Sequence, residues 1–311
     1  MRVAINPKTG AKIHTGKRTH LDIQKEFSKY VFSKATLPLE IVKHRKKEIT
    51  LRVVFPASYA LPADVFESKP IGRGSFGSVY ELKGVKTHLR LAVKLMSRGW
   101  RSQDEIKITT ELSSIKCNQL KARVLPSSEK KSHVVVMEAM DGSLLNLINN
   151  RGARVSLNKA KFIVQQVQKQ MVCIYKVKAD FVNRDVKLEN VLYKKSVDGE
   201  KMRIYVGDLG SFDNETTTYE CHRKDTPEQC MSLQLGLLFA QLIGFNSDVK
   251  KYFSYRQRNK LNQKGFTRRL QQLIAKINKR YNCVMDCPYA INFLNPDPTR
   301  RSQFVTHQFD L

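Results

Sequence analysis

Apolar residues change their period along this chain. Over residues 21–32 they recur near helical spacing (Leu21, Ile23, Phe27, Tyr30, Val31), and over 48–55 they alternate as in a strand. Strand-like runs return at 69–80, 90–96 and 133–139, rich in Val, Leu and Tyr and separated by short basic turns, which predicts a small sheet. Past Gly142 the period lengthens, and 144–150, 156–178, 228–243 and 267–280 read as helices. The expectation is an α+β chain whose β-rich part precedes a mainly helical one. Residues 1–64 stand apart as a basic N-terminal extension with turn signals at Asn6-Pro7 and Thr9-Gly10. The main domain then covers 65–311, sheet-rich over about 65–140 and helical over about 141–311.

Charge sharpens this picture. Against 28 acidic residues stand 55 Lys and Arg, a formal net charge of +27. That imbalance calls for an acidic partner, whether protein substrate, nucleic acid or membrane surface. No run approaches the ~20 apolar residues of a membrane span, and the first ten residues lack the apolar core of a signal peptide. The six cysteines show no paired metal-ligand spacing. Cys283 and Cys287, with His222 or His307, form a C-x-x-x-C without a second pair and are a weak metal candidate. A soluble protein of a reducing intracellular compartment is expected.

Four motifs carry chemistry. Gly72-Arg73-Gly74-Ser75-Phe76-Gly77 has G-x-G-x-x-G spacing, where missing side chains let backbone amides approach phosphate oxygens. A strand-like Val79-Tyr80-Glu81-Leu82 follows it, not the helix of a dinucleotide-binding turn. Lys94 lies amid apolar residues in Leu91-Ala92-Val93-Lys94-Leu95, and Glu105 opens a helical pattern from which a carboxylate can fix that ammonium, with Glu111 as alternative. In Asn183-Arg184-Asp185-Val186-Lys187-Leu188-Glu189-Asn190, an acid, a cation and an amide fall at i, i+2 and i+5, a set suited to accepting a proton, offsetting phosphate charge and completing a magnesium shell. Asp208 then sits between a strand end and Gly210.

In this order the motifs GRGSFGSV, AVKL, NRDVKLEN and DLG, with Thr226-Pro227-Glu228 and Asp297-Pro298-Thr299-Arg300-Arg301, resemble the eukaryotic protein kinases over about residues 65–311. The resemblance implies a two-lobed protein kinase fold, with a small, mostly antiparallel β N-lobe holding one main helix and a larger α-helical C-lobe. It implies ATP and Mg2+, with Mn2+ as a substitute. Asp185 would be the base, Lys187 would mark serine/threonine specificity, and Lys94 with Glu105 would be the activating ion pair. Asn190 and Asp208 would hold the metal. ATP would be lined by Ile71, Gly72, Gly74, Ser75, Gly77, Val79, Ala92, Lys94, Met137, Glu138, Met140 and Leu192, with Met137 as gatekeeper and 138–140 as the hinge. Arg301 would pair with Glu228.

Some positions depart from that family. Asn183 stands for the usual His, Leu209 for Phe, and Met231 for an Asp that steadies the catalytic loop. The activation segment from Asp208 to Glu228 spans 21 residues, with Thr216, Thr217, Thr218 and Tyr219 as phosphosites that Arg184 would receive. His222-Arg223-Lys224 makes it basic and points to acidic or phosphorylated substrates. Residues 6–13 (NPKTGAKI), followed by Gly16 and Thr19, resemble a short element in proteins of large cytoplasmic DNA viruses, which suggests a divergent viral member in host cytoplasm or virion. Two other functions stay open: a pseudokinase-like scaffold, against which intact Lys94, Asp185, Asn190 and Asp208 argue, and a basic nucleic-acid-associated protein, with nucleic acid a secondary partner because the cations are scattered.

Overall fold

The computed structural model describes residues 3–33, 38–45, 48–74, 77–96, 100–117, 120–126, 133–149, 154–179, 182–183, 185–196, 200–208, 226–253, 263–281 and 292–298. The chain divides into two compact units, Met1–Ser114 with Leu120–Met140 and Lys195–Met202, and Ile115–Gln119 with Asp141–Lys194 and Arg203–Leu311.

The first unit is built on a seven-stranded antiparallel sheet. Its strands are β3 (Leu39–Arg45), β4 (Glu48–Val54), β5 (Ala63–Gly74), β6 (Gly77–Gly84), β7 (Arg90–Met96), β8 (Ala122–Pro126) and β9 (His133–Glu138), in the order β3-β4-β5-β6-β7-β9-β8. The run 69–80 is thus two strands meeting at the glycine-rich turn, with Gly74 opposite Gly77. Alternation decides the faces: Leu91, Val93 and Leu95 of β7 join Phe66, Leu82, Val134 and Val136 in one buried cluster.

Helix α1 (Arg18–Ser33) contributes Ile23, Phe27 and Val31 to that cluster in 4-residue steps along one helical face, with Phe32 beside them. Phe27 stacks on Phe66 at 5.6 Å between ring centroids. The compositional step at residue 64 therefore does not appear as a break in the sheet. Strand β4 pairs with β5 from Thr50↔Glu67 to Val54↔Ala63, and α1 supplies part of the core. Ahead of α1, β1 (Val3–Ile5) and β2 (Lys12–His14) form a hairpin. Its turn explains the residues of the 6–13 element: the Asn6 side chain accepts from Lys8 N–H at 3.0 Å, and Gly10 sits at φ 73°. Helix α2 (Trp100–Ser114) completes the unit.

The second unit is mainly helical, with α3 (Leu144–Asn149), α4 (Leu157–Val177), α5 (Pro227–Ala240), α6 (Asn246–Phe253) and α7 (Gln263–Tyr281). Strands β10 (Gly142–Ser143), β11 (Val191–Lys195) and β12 (Met202–Val206) form a small sheet beside them. Ser156 caps α4 by accepting from Lys159 N–H, and Thr226 with Gln229 forms a capping box ahead of Pro227, which fixes where α5 begins. A π-helical turn over Gln241–Phe245, with Gly244 at φ 104°, joins α5 to α6. The whole run Pro227–Phe253 is long and apolar enough to cross a membrane, which the expectation of no such stretch overlooked. Yet 83% of its most apolar window is buried inside the protein, the pattern of a core helix.

Cys117 and Cys173 form a disulfide across 56 residues of sequence, with Cα atoms 5.5 Å apart. This corrects the expectation of reduced thiols. A pairing that distant leaves no spacing signal, because it exists only once the 115–117 segment lies against α4.

Candidate active site

In the first unit, Lys94 lies on β7 between residues that enter the core. Its Nζ meets Glu105 Oε1 of α2 at 2.5 Å, with both residues buried. Glu105, not Glu111, therefore holds this ammonium. The glycine turn is tight against the next strand: a Cβ on Gly77 would lie 2.2 Å from the Leu95 carbonyl oxygen, so only glycine fits. Gly72 pairs with Val79 across a bulge that leaves Ile71 exposed. Ser75 lies outside the described residues. Ala92 of β7 and Met137 of β9 are cross-strand partners, and Glu138 closes β9 opposite Leu91. The Met140 carbonyl accepts from Arg90 Nη2 at 3.1 Å, and Arg90 Nε also pairs with Glu81.

In the second unit, the segment 185–190 folds around one carboxylate. Asp185 Oδ2 accepts from Lys187 Nζ at 2.7 Å and from Asn190 Nδ2 at 2.8 Å, while Asn190 Nδ2 also reaches the Asp185 carbonyl at 3.0 Å. The donor end of the Asn190 amide is thus committed to Asp185, which leaves its oxygen as the end suited to a hard cation. Asn183 is buried and its Oδ1 accepts from Asp185 N–H at 2.9 Å, so this departure from the usual His braces the loop from within.

Asp208 follows β12 after a single glycine, Gly207. Gly207 N–H donates to the Asn190 carbonyl at 2.7 Å, and a Cβ on Gly207 would approach that oxygen to 2.9 Å, so the glycine allows strand end and loop to touch. Asp208 itself has φ 48°, a left-handed conformation that non-glycine residues adopt when their surroundings hold them there. Leu192, the remaining expected nucleotide-lining residue, lies on β11 opposite Ser143.

Two buried glutamines were missed in the sequence. Gln234 of α5 accepts from Val186 N–H at 2.9 Å, directly after Asp185. It lies one turn beyond Met231, on the same helix face, so the support expected to be lost there comes from the next turn. Gln170 of α4 donates to the Ile204 carbonyl at 2.6 Å and accepts from Val206 N–H at 3.1 Å, gripping β12 just ahead of Asp208. The available signal was a glutamine inside an otherwise apolar helical face.

Glu228 accepts from the Tyr175 hydroxyl. Burial alone would raise this carboxyl, but hydrogen bonds from Tyr175, Thr226 and its own backbone hold it below the usual range. The same bond to Glu228, then burial, pushes the Tyr175 hydroxyl up to about 12. Arg184, Leu209, 216–224 and Arg301, together with Cys283, Cys287, His222 and His307, lie outside the described residues. Among the described residues no group of three His, Cys, Asp or Glu gathers as a metal site.

A loop with an acid, a cation and an amide around one carboxylate, a buried lysine–glutamate pair and a glycine turn are the parts of a phosphotransferase catalytic domain. Residues 66–231 match the family description "Protein kinase domain", and the chain belongs to that family. Among its relatives are serine/threonine-protein kinase 33 of Mus musculus, 27% identical over 44% of this chain and 28% of the relative, and serine/threonine-protein kinase mig-15 of Caenorhabditis elegans, 29% identical over 44% and 14%. Testis-specific serine/threonine-protein kinase 4 of Homo sapiens is 29% identical over 41% of this chain and 40% of that protein. The matches thus span less than half the length of these relatives.

Proposed function

We propose that this chain is a protein serine/threonine kinase that transfers the γ-phosphoryl group of ATP to protein hydroxyls with magnesium. The observation that carries the reading is the Asp185 carboxylate held by Lys187 and Asn190 on a loop braced from below. In that role Asp185 orients the substrate hydroxyl and accepts its proton, and Lys187 offsets charge on the transferred group. Lys94, fixed by Glu105, holds nucleotide phosphates, while Asn190 and Asp208 hold the metal. Bound magnesium supplies charge neutralisation at the phosphates. Around the adenine, Met140 offers its N–H, since its carbonyl is engaged by Arg90.

An acidic substrate preference belongs to the proposal. Helix α7 carries Lys264, Arg268, Arg269, Lys276, Lys279 and Arg280 and no acidic residue, in a chain of net charge +27. The kinase domain of the proposal covers 65–311, with 1–64 an extension built onto its sheet. A viral provenance with virion-associated substrates rests on the 6–13 element. The test is transfer of labelled γ-phosphate from magnesium-ATP to casein, an acidic protein, by wild type and by Asp208→Asn. Label on serine and threonine that disappears in the variant is expected. Nucleotide binding without transfer to any substrate would favour the scaffold reading instead.

A further inference from the structure

Arg90 joins the N-terminal extension to the segment proposed to meet the adenine. It lies one residue past the last pairing of β7 with β9, Leu91↔Glu138, so that strand does not supply partners for its main chain. The side-chain amide of Gln24 on α1 does: Arg90 N–H donates to Gln24 Oε1 at 2.6 Å, and Gln24 Nε2 donates to the Arg90 carbonyl at 3.0 Å. This two-way grip imitates the next rung of a sheet, with a side chain standing in for a peptide unit. One turn earlier on α1, buried His20 donates from Nε2 to the Thr87 carbonyl at 3.2 Å, and Thr87 is itself tied to Asp64 by its N–H and hydroxyl. The helix is thus fastened at two successive points to the turn that leads into β7.

From the gripped backbone the Arg90 side chain spans to Glu81 through Nε and to the Met140 carbonyl through Nη2. A planar guanidinium with two partners of fixed direction sets the orientation of the peptide it touches.

We propose that Arg90 is a positioning residue for adenine recognition and that α1 tunes nucleotide affinity through it, by way of Gln24, Arg90 and the Met140 carbonyl. The proposal rests on the kinase reading for the role of Met140 and adds to it a function for the N-terminal extension. Holding the Met140 carbonyl on Arg90 fixes the Met140–Asp141 peptide, which restricts the torsions at Met140 and so the direction of its N–H on the preceding peptide, and lowers the ordering cost of adenine binding. Lysine in place of Arg90 retains charge but not the two-partner geometry. Leucine in place of Gln24 keeps volume and helix propensity but leaves the Arg90 backbone without its amide partner.

The wild-type 311-residue chain, Arg90→Lys, Gln24→Leu and the double variant are compared by calorimetric titration with magnesium-ATP and, separately, with magnesium tripolyphosphate, which lacks the adenine. Each single variant should weaken ATP binding roughly three- to tenfold, the range one lost hydrogen bond permits. Tripolyphosphate affinity should stay within about twofold of wild type, because the phosphate-binding groups are untouched. The double variant should lose less than the product of the two single losses, the mark of residues acting along one route.

Equal weakening for ATP and tripolyphosphate would overturn the proposal, since it would indicate general damage to the unit. Unchanged ATP affinity in Arg90→Lys, or fully multiplicative losses, would overturn it as well while leaving the kinase reading intact. Failure of wild type to bind ATP at all would remove the kinase reading and this relay with it.

Discussion

Replacing Gln234 by leucine removes the acceptor of Val186 N–H and the contact of Gln234 Nε2 with Cys230 Sγ at 3.8 Å, with almost no change of volume. Gln234 is fully buried, Val186 is buried, and the 2.9 Å bond from Val186 N–H to Gln234 Oε1 lies at the residue after Asp185. A buried peptide N–H left without an acceptor costs about 1–3 kcal/mol. The loop relieves part of that cost by moving, and its movement displaces Asp185 from Lys187 and Asn190. If the whole cost is felt in the transition state, kcat falls roughly five- to 150-fold, with about 1.4 kcal/mol per factor of ten. The KM for ATP should change less than kcat, because Lys94 and Glu105 sit on other elements and only Asn190 of the proposed nucleotide and metal groups shares the loop. Steady-state phosphorylation of casein, with melting curves for each protein, makes the measurement. Gln234→Glu keeps an acceptor at the same reach and should retain more kcat than Gln234→Leu. A leucine variant with kcat within about twofold of wild type would refute the reasoning. Equal losses in both variants would refute it too, since packing alone would then account for them.

Two further outcomes follow from groups outside the 183–190 loop. The Cys117–Cys173 bridge closes a 56-residue separation, for which chain entropy gives about 4 kcal/mol, so reduction or Cys173→Ser should lower the melting midpoint by roughly 10 °C, and an unchanged midpoint under reductant would count against the bridge. His20 is held below its ordinary pKa by burial, with His88, Lys83 and Arg90 adding to the effect, while its bond to Thr87 opposes it. The unfolded chain therefore takes up this proton first: the stabilising contribution is complete above the unfolded value near 6.5 and declines as pH falls below it, at most about 1.4 kcal/mol per pH unit. Urea midpoints at pH 5.5 and 7.5 should differ more in wild type than in His20→Gln, and equal differences would refute the assignment.

Residue spacing along the chain set the main elements around the site and the order of the chemistry. Alternation set β7 with Lys94 among core residues, the glycines set the turn at 72–77, the Thr226–Pro227 cap set the start of α5, and the 183–190 motif held its acid, cation and amide at fixed offsets. These are local properties, written in spacings of a few residues that backbone geometry converts directly into neighbours. Tertiary structure decided what depends on distant residues meeting. Composition separated residues 1–64 from the rest, yet α1 and β4 bury Phe27, Val31 and Leu51 in the same cluster as Leu91 and Val93. Met231 predicted a loosened loop, but Gln234 one turn on meets Val186, 48 positions away. Cys117 and Cys173 carry no motif, and Gln24 looks like an ordinary helix-surface amide until the end of β7 presents an N–H and a carbonyl to it. A polar group is assigned a partner only when folding removes water from around it, and that choice depends on which segments arrive together.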